Sequence, residues 1–231
     1  MGGPGPPRRV HHPPVISPLP LPAPSRGESR WPPLVALLVA AGLYATLPGN
    51  LILGGGLLRW IVPALEVALI AVAAVNPVVE SERRRHVGVA LVVLITLANA
   101  SALGLLIDGI LTEAGFEGRL LILSAIQIWA TNVIIFGLWL WESDGGGPRR
   151  RHLDPPGPAG FLFPQWTLPE PWTWKPRFMD YLYVSFTNST AFSPTDTLPL
   201  QPRIKALMTV QAALSLLTIL LVAARAVSML R

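Results

Sequence analysis

The chain has 231 residues, of which 51% are hydrophobic and only 13% charged, with a mean hydropathy of +0.49. A soluble domain carries about 25% charged residues, so this composition points to a polytopic membrane protein. With no cysteine, disulfides, thiolate chemistry and cysteine-ligated metals are excluded, and the net charge of +5 falls beside apolar segments, where membrane orientation accounts for it without nucleic acid.

Residues 1–32 form a Pro-rich arm with Arg8, Arg9, Arg26 and Arg30. Such a segment buries too little apolar surface to order itself and reads as a disordered tail. It has no apolar stretch of the kind a cleavable signal peptide needs. The apolar block 34–75 is broken by "LPGN" and "GGG", both turn signals, giving spans near 34–47 and 57–75. Glu66, in "PALEVAL", is the clearest charge within a span. An ionisable group at that depth is a candidate proton or cation site, or a partner for Arg59 or Arg225.

A third span is expected over 87–107, directly after "ERRRH", and a fourth over 120–141. They carry Asn99, Ser101, Gln127, Thr131 and Asn132, residue types that serve as contacts between packed helices. The linker 142–178 is rich in Gly and Pro and holds Trp166, Trp172 and Trp174, which suit an interfacial segment. Residues 179–192 have apolar and aromatic helix content but too little length to span, so a re-entrant helix is expected, stopped by Pro194 and Pro199. The last span runs over 204–230.

The stretch "SFTNSTAFSPTDTLP" resembles the pore loop of tetrameric potassium-type channels through Ser185, Phe186, Thr187, Thr190, Asp196 and Pro199. Lys205 and Gln211 in the following helix suit the same order. Over roughly 34–230 the chain is also similar to uncharacterised bacterial integral-membrane families. These share four apolar segments, a Gly-rich linker, a "D-[FY]-L-Y-x-S-F" stretch and a final helix, and carry no known activity. The channel resemblance implies an oligomeric pore lined by Thr187, Thr190, Ser193, Thr195 and Asp196. Where the potassium filter has two glycines and a tyrosine, however, this chain has Ser193, Thr195 and Pro194. Glycine reaches conformations closed to other residues and proline fixes φ, so a potassium-selective carbonyl ring is not expected. The same polar residues could instead pin the loop to neighbouring helices.

Charge placement gives orientation. The basic arm, Arg83 to Arg85 and Arg149 to Arg151 belong on the cytoplasmic side. With four spans before the linker, the last helix then runs outward, opposite to a channel inner helix. Three resolutions stay open: a loop entering from the cytoplasm, a full crossing over 180–200, or a single span in the first block. The first is favoured.

The expected protein is thus an all-α integral membrane protein of the cell membrane, multi-pass, with about five transmembrane helices and one re-entrant pore-loop-like helix. Its regions are the tail (1–32), a four-helix transmembrane region (33–141), the linker (142–178), and the re-entrant helix with the last span (179–231). Its four histidines lack zinc-type spacing, and neither a phosphate-binding loop nor a nucleophile elbow is present. No enzyme activity, cofactor or metal is expected. The partners are the lipid bilayer and other copies of the chain, in a pore or in a non-conducting scaffold; proton-coupled transport through Glu66 is the third alternative, without a visible inverted repeat.

Overall fold

The computed structural model describes residues 28–29, 31–54, 58–75, 82–112, 118–153, 157–168, 174–190 and 196–228. Seven α-helices are present among them: α1 (Trp31–Ala45), α2 (Leu58–Val75), α3 (Glu82–Leu111), α4 (Gly118–Ser143), the short α5 (Pro148–Leu153), α6 (Phe178–Thr190) and α7 (Pro202–Ser228). Two-residue strands β1 (Phe161–Leu162) and β2 (Leu198–Pro199) pair antiparallel. The fold is mostly helical, and three stretches, Arg85–Leu111, Gly118–Gly146 and Pro202–Arg225, are long and apolar enough to cross a membrane. Helix α1 is apolar but, at 15 residues, rises only about 22 Å.

Local chemistry sets the helix ends. Pro32 and Pro33 open α1 and Pro202 opens α7, in first-turn positions where the missing N–H has no intrahelical partner to lose. Helix α4 stops at Gly145, Gly146 and Gly147, which all have positive φ, 57°, 80° and 98°. Side chains with a Cβ avoid that region, so this triplet turns the chain sharply into α5. Asp180 accepts a hydrogen bond from the Arg177 N–H at 2.7 Å and fixes the start of α6.

Helix α4 is the hub. From Thr131 to Leu138 every residue is buried, which marks a helix enclosed on all sides. Helices α1, α3, α6 and α7 pack against it, all running opposite to it. Glu28 and Thr46, flanking α1, meet Trp141 and Gln127; on α3, Thr96 accepts from the Trp139 indole N–H. Along α7, Ile204 lies beside Gly160, which touches Asp144, while Ser215 meets Asn132. The buried face of α7 is Ile204, Met208, Gln211, Ser215 and Thr218, a seam spaced alternately four and three residues. Only 22% of its membrane-length window is buried, so the rest of α7 presents Val210, Leu216, Leu217 and Leu220 outward. Apolar side chains are likewise exposed on α1, on the first part of α2 and on α3. Contiguous apolar surface of that extent needs a non-aqueous or protein neighbour.

Candidate functional site

Helix α6 is the element that the sequence singles out, and its path is defined by its contacts on α4. Tyr181 meets Asp144, a Cβ on Gly137 would stand 3.2 Å from the Leu182 Cα, Ser185 bonds the Val133 carbonyl, and Phe186 stacks edge-on against Trp129. Thirteen residues carry it from the end of α4 to about the middle of that helix. The chain then returns to the end it started from: β2 pairs with β1, the Leu200 N–H donates to the Gly160 carbonyl at 2.8 Å, and Gly160 touches Asp144. Helix α7 restarts there and runs the whole length of α4.

At the inner end of α6 lies a polar seam shared by α4, α6 and α7. Gln211 is 0% exposed. The two protons on its Nε2 are shared among the Ser185 carbonyl (2.8 Å), the Ser185 hydroxyl (2.6 Å) and the Ser189 hydroxyl (2.7 Å), while its Oε1 accepts from Asn188 Nδ2 at 3.0 Å. Asn188 donates also to the Met208 carbonyl at 2.9 Å, and Ser185 Oγ donates to the Val133 carbonyl at 2.6 Å. Asn132 reaches Ser215 at 3.4 Å. A buried amide is costly unless its donors and acceptor are met, and here they are met by neighbours on the adjoining helices.

The predicted lining residues fall in three groups. Thr187 is buried and donates to the carbonyls of Tyr183 and Val184, both at 3.0 Å; Thr190 is exposed and donates to the Phe186 carbonyl at 3.0 Å. Both hydroxyl protons are spent on carbonyls of their own helix. Asp196 is exposed, two residues before β2. Ser193 and Thr195 lie outside the described residues, as does the side chain of Glu66, whose backbone is in α2. Among the described residues, the structure brings together Ser185, Asn188, Ser189 and Gln211. Their signal in the sequence was spacing: 185, 188 and 189 share one helix face, and 211 falls on the buried seam of α7.

At the outer end of α6 lies a second centre, and here the sequence had little to say. Asp144 is 0% exposed and accepts from the Tyr181 hydroxyl (2.5 Å) and the Gly160 N–H (2.6 Å). Arg151 Nη1 donates to the carbonyls of Trp141 and Asp144, each at 2.6 Å, and its guanidinium sits 4.9 Å over the Tyr181 ring. A Cβ on Gly160 would stand 2.7 Å from Asp144 Oδ1 and 3.0 Å from Ile204 Cγ1, so only glycine permits this approach. Phe163, Trp166 and Trp174 close over the site with ring centroids 5.4 to 5.7 Å apart. Glu28, from the Pro-rich arm, accepts from the Phe178 N–H at 2.6 Å and the Trp141 indole at 3.1 Å, so a residue 150 positions away caps α6. Burial holds its carboxyl above the usual range, against the opposing pull of the Phe178 N–H, the Trp141 indole, Arg151 and Arg177.

Among the described residues no group of three His, Cys, Asp or Glu side chains is placed to hold a metal ion. What the arrangement offers chemically is a satisfied amide–hydroxyl lattice at the inner end of α6 and an ionic, aromatic-covered junction at the outer end. No protein-family model, no curated protein and no solved structure matches the chain.

Proposed function

We propose that the protein is a multi-pass membrane protein with five spans and α6 as a re-entrant helix, working as a non-conducting scaffold that binds partners in the bilayer. The observation that carries this reading is the Gln211 network, which spends the buried polar face of α6 on α4 and α7.

Charge supports the orientation. Among the described residues, the end of the bundle around Asp144 carries Arg85, Arg149, Arg150, Arg151, Lys175, Arg177, Arg203 and Lys205. The opposite end carries Arg59, Arg119 and Arg225. Positive charge favours the cytoplasmic side, so α6 enters from the cytoplasm and α7 runs outward. A topology reporter fused after Arg231 is expected to read as non-cytoplasmic; a cytoplasmic signal refutes the orientation. Purified protein in liposomes is expected to pass neither cations nor anions, and a flux abolished by substitutions on α6 would overturn the scaffold.

A second reading, an oligomeric pore, is favoured by one feature. The outer face of α7 is largely unburied, with Asn188 and Thr209 lining an open groove along it. Several copies around an axis could face that surface inward. A strictly monomeric protein in detergent and in nanodiscs excludes it.

A further inference from the structure

The groove on the outer face of α7 is an open cavity of about 580 Å³ lined by Asn188, Lys205, Thr209, Ala212, Ala213 and Leu216, among others. Its chemistry changes along its length. Lys205 is exposed and stands at the end that also carries the exposed Arg203, Arg177 and Arg149. One turn on comes the Thr209 hydroxyl, and beyond it two alanines and a leucine. The small side chains of Ala212 and Ala213 leave the space that a larger residue would fill. From Lys205 to Leu216 the helix rises about 16 Å, close to half of the roughly 30 Å hydrocarbon core.

We infer that this groove binds one anionic glycerophospholipid, with its phosphate at Lys205 and one acyl chain along Ala212, Ala213 and Leu216. The inference rests on the bilayer reading above. A cation at one end of an open, mostly apolar groove about one leaflet long matches that ligand in charge, polarity order and length. A second copy of the chain matches it less well. Two α7 helices side by side in the same membrane orientation bring Lys205 and Arg203 of both copies to one level, where like charges repel.

The test uses the full chain extracted in detergent and supplied with phosphatidylglycerol or phosphatidylcholine of identical acyl chains, with retained lipid counted by native mass spectrometry. One phosphatidylglycerol is expected to be retained in preference to phosphatidylcholine. Lys205→Gln is expected to reduce that preference about fivefold, the effect of one cation at an anionic headgroup. Ala213→Phe, which fills the groove at an exposed position, is expected to lower retention of both lipids, and the pair Arg149→Gln and Arg150→Gln to leave the preference intact. Equal retention of the two lipids overturns the inference, as does a preference unchanged in Lys205→Gln. An equal loss in the Arg149 and Arg150 variant would mean diffuse attraction, and a dimer dissociated by Ala213→Phe would assign the groove to a second copy; either overturns it. Recovery of the chain in the soluble fraction without detergent would refute the bilayer reading itself, whereas lipid indifference in a detergent-requiring protein would refute the groove alone.

Discussion

The two ends of α6 solve the same problem with different chemistry. At the inner end, half-way along α4, every buried polar group is neutral: amides and hydroxyls bonded to one another and to carbonyls. At the outer end the groups are ionic, with Asp144 and Glu28 held by Tyr181 and backbone N–H groups, Arg151 by backbone carbonyls, and an aromatic cover over them. A charge deep in hydrocarbon costs several times what a neutral amide does, while near the headgroups it is tolerated. On the re-entrant reading proposed above, the position along α6 dictates which side chains can hold it, and charge serves as the anchor only where water or lipid headgroups are within reach.

The sharpest way to break this comparison is at the ionic end. Asp144→Ala leaves the Tyr181 hydroxyl and the Gly160 N–H buried without an acceptor. About 3 kcal/mol of stability is expected to go, read as the largest fall in thermal midpoint of any single variant discussed. Gly160→Val should approach it, since a side chain there collides with both Asp144 and Ile204. At the neutral end Gln211→Leu removes several hydrogen bonds but leaves neutral partners. Interhelical bonds in membrane proteins average about 0.6 kcal/mol, so a loss of roughly 2 kcal/mol is expected, smaller than for Asp144→Ala. If Gln211→Leu proves the more damaging, the ordering of the two ends is wrong.

Titration sharpens the contrast further. Burial raises the Glu28 carboxyl above its ordinary value of 4.5. The folded state then holds its proton more tightly than the unfolded chain, so this group's contribution to stability falls as pH rises from about 4.5 to the raised folded value, and is flat above it. Glu28→Gln should remove that slope and leave the neutral end unaltered, which thermal melts of both proteins across the acidic range would measure. The smallest effect is expected for Thr187→Val, whose hydroxyl bonds only its own helix. A change below about 0.5 kcal/mol fits that role, and a larger one would give Thr187 a partner that the helix does not supply.

The sequence made the helices legible because apolar runs and their breakers are local. Turn signals at 47–50 and 54–56 separate α1 from α2, and the short apolar stretch before Pro194 corresponds to α6, Phe178–Thr190. The inner seam was partly legible, since the polar residues of α6 recur at helical spacing. The outer junction was not. "ESDGGG" reads as a turn, and nothing within "SRGES" announces that Glu28 will cap a helix that begins 150 residues later. Contacts of that range depend on where α1 and α4 bring their ends, which no local pattern records.

The hydrogen bonds between Gln211 and α6 also set an order of assembly. As α6 emerges from the ribosome, its serines and Asn188 find α4 already in place, while Gln211 follows behind and has yet to emerge. Until α7 arrives, the face of α6 that ends against it is an unsatisfied polar surface, which hydrocarbon rejects. With α6 as the re-entrant helix proposed above, it waits at the surface and enters together with α7 or after it. Truncation just before Pro202 would leave a chain with its earlier spans inserted and α6 stranded outside, open to proteolysis that the full chain resists.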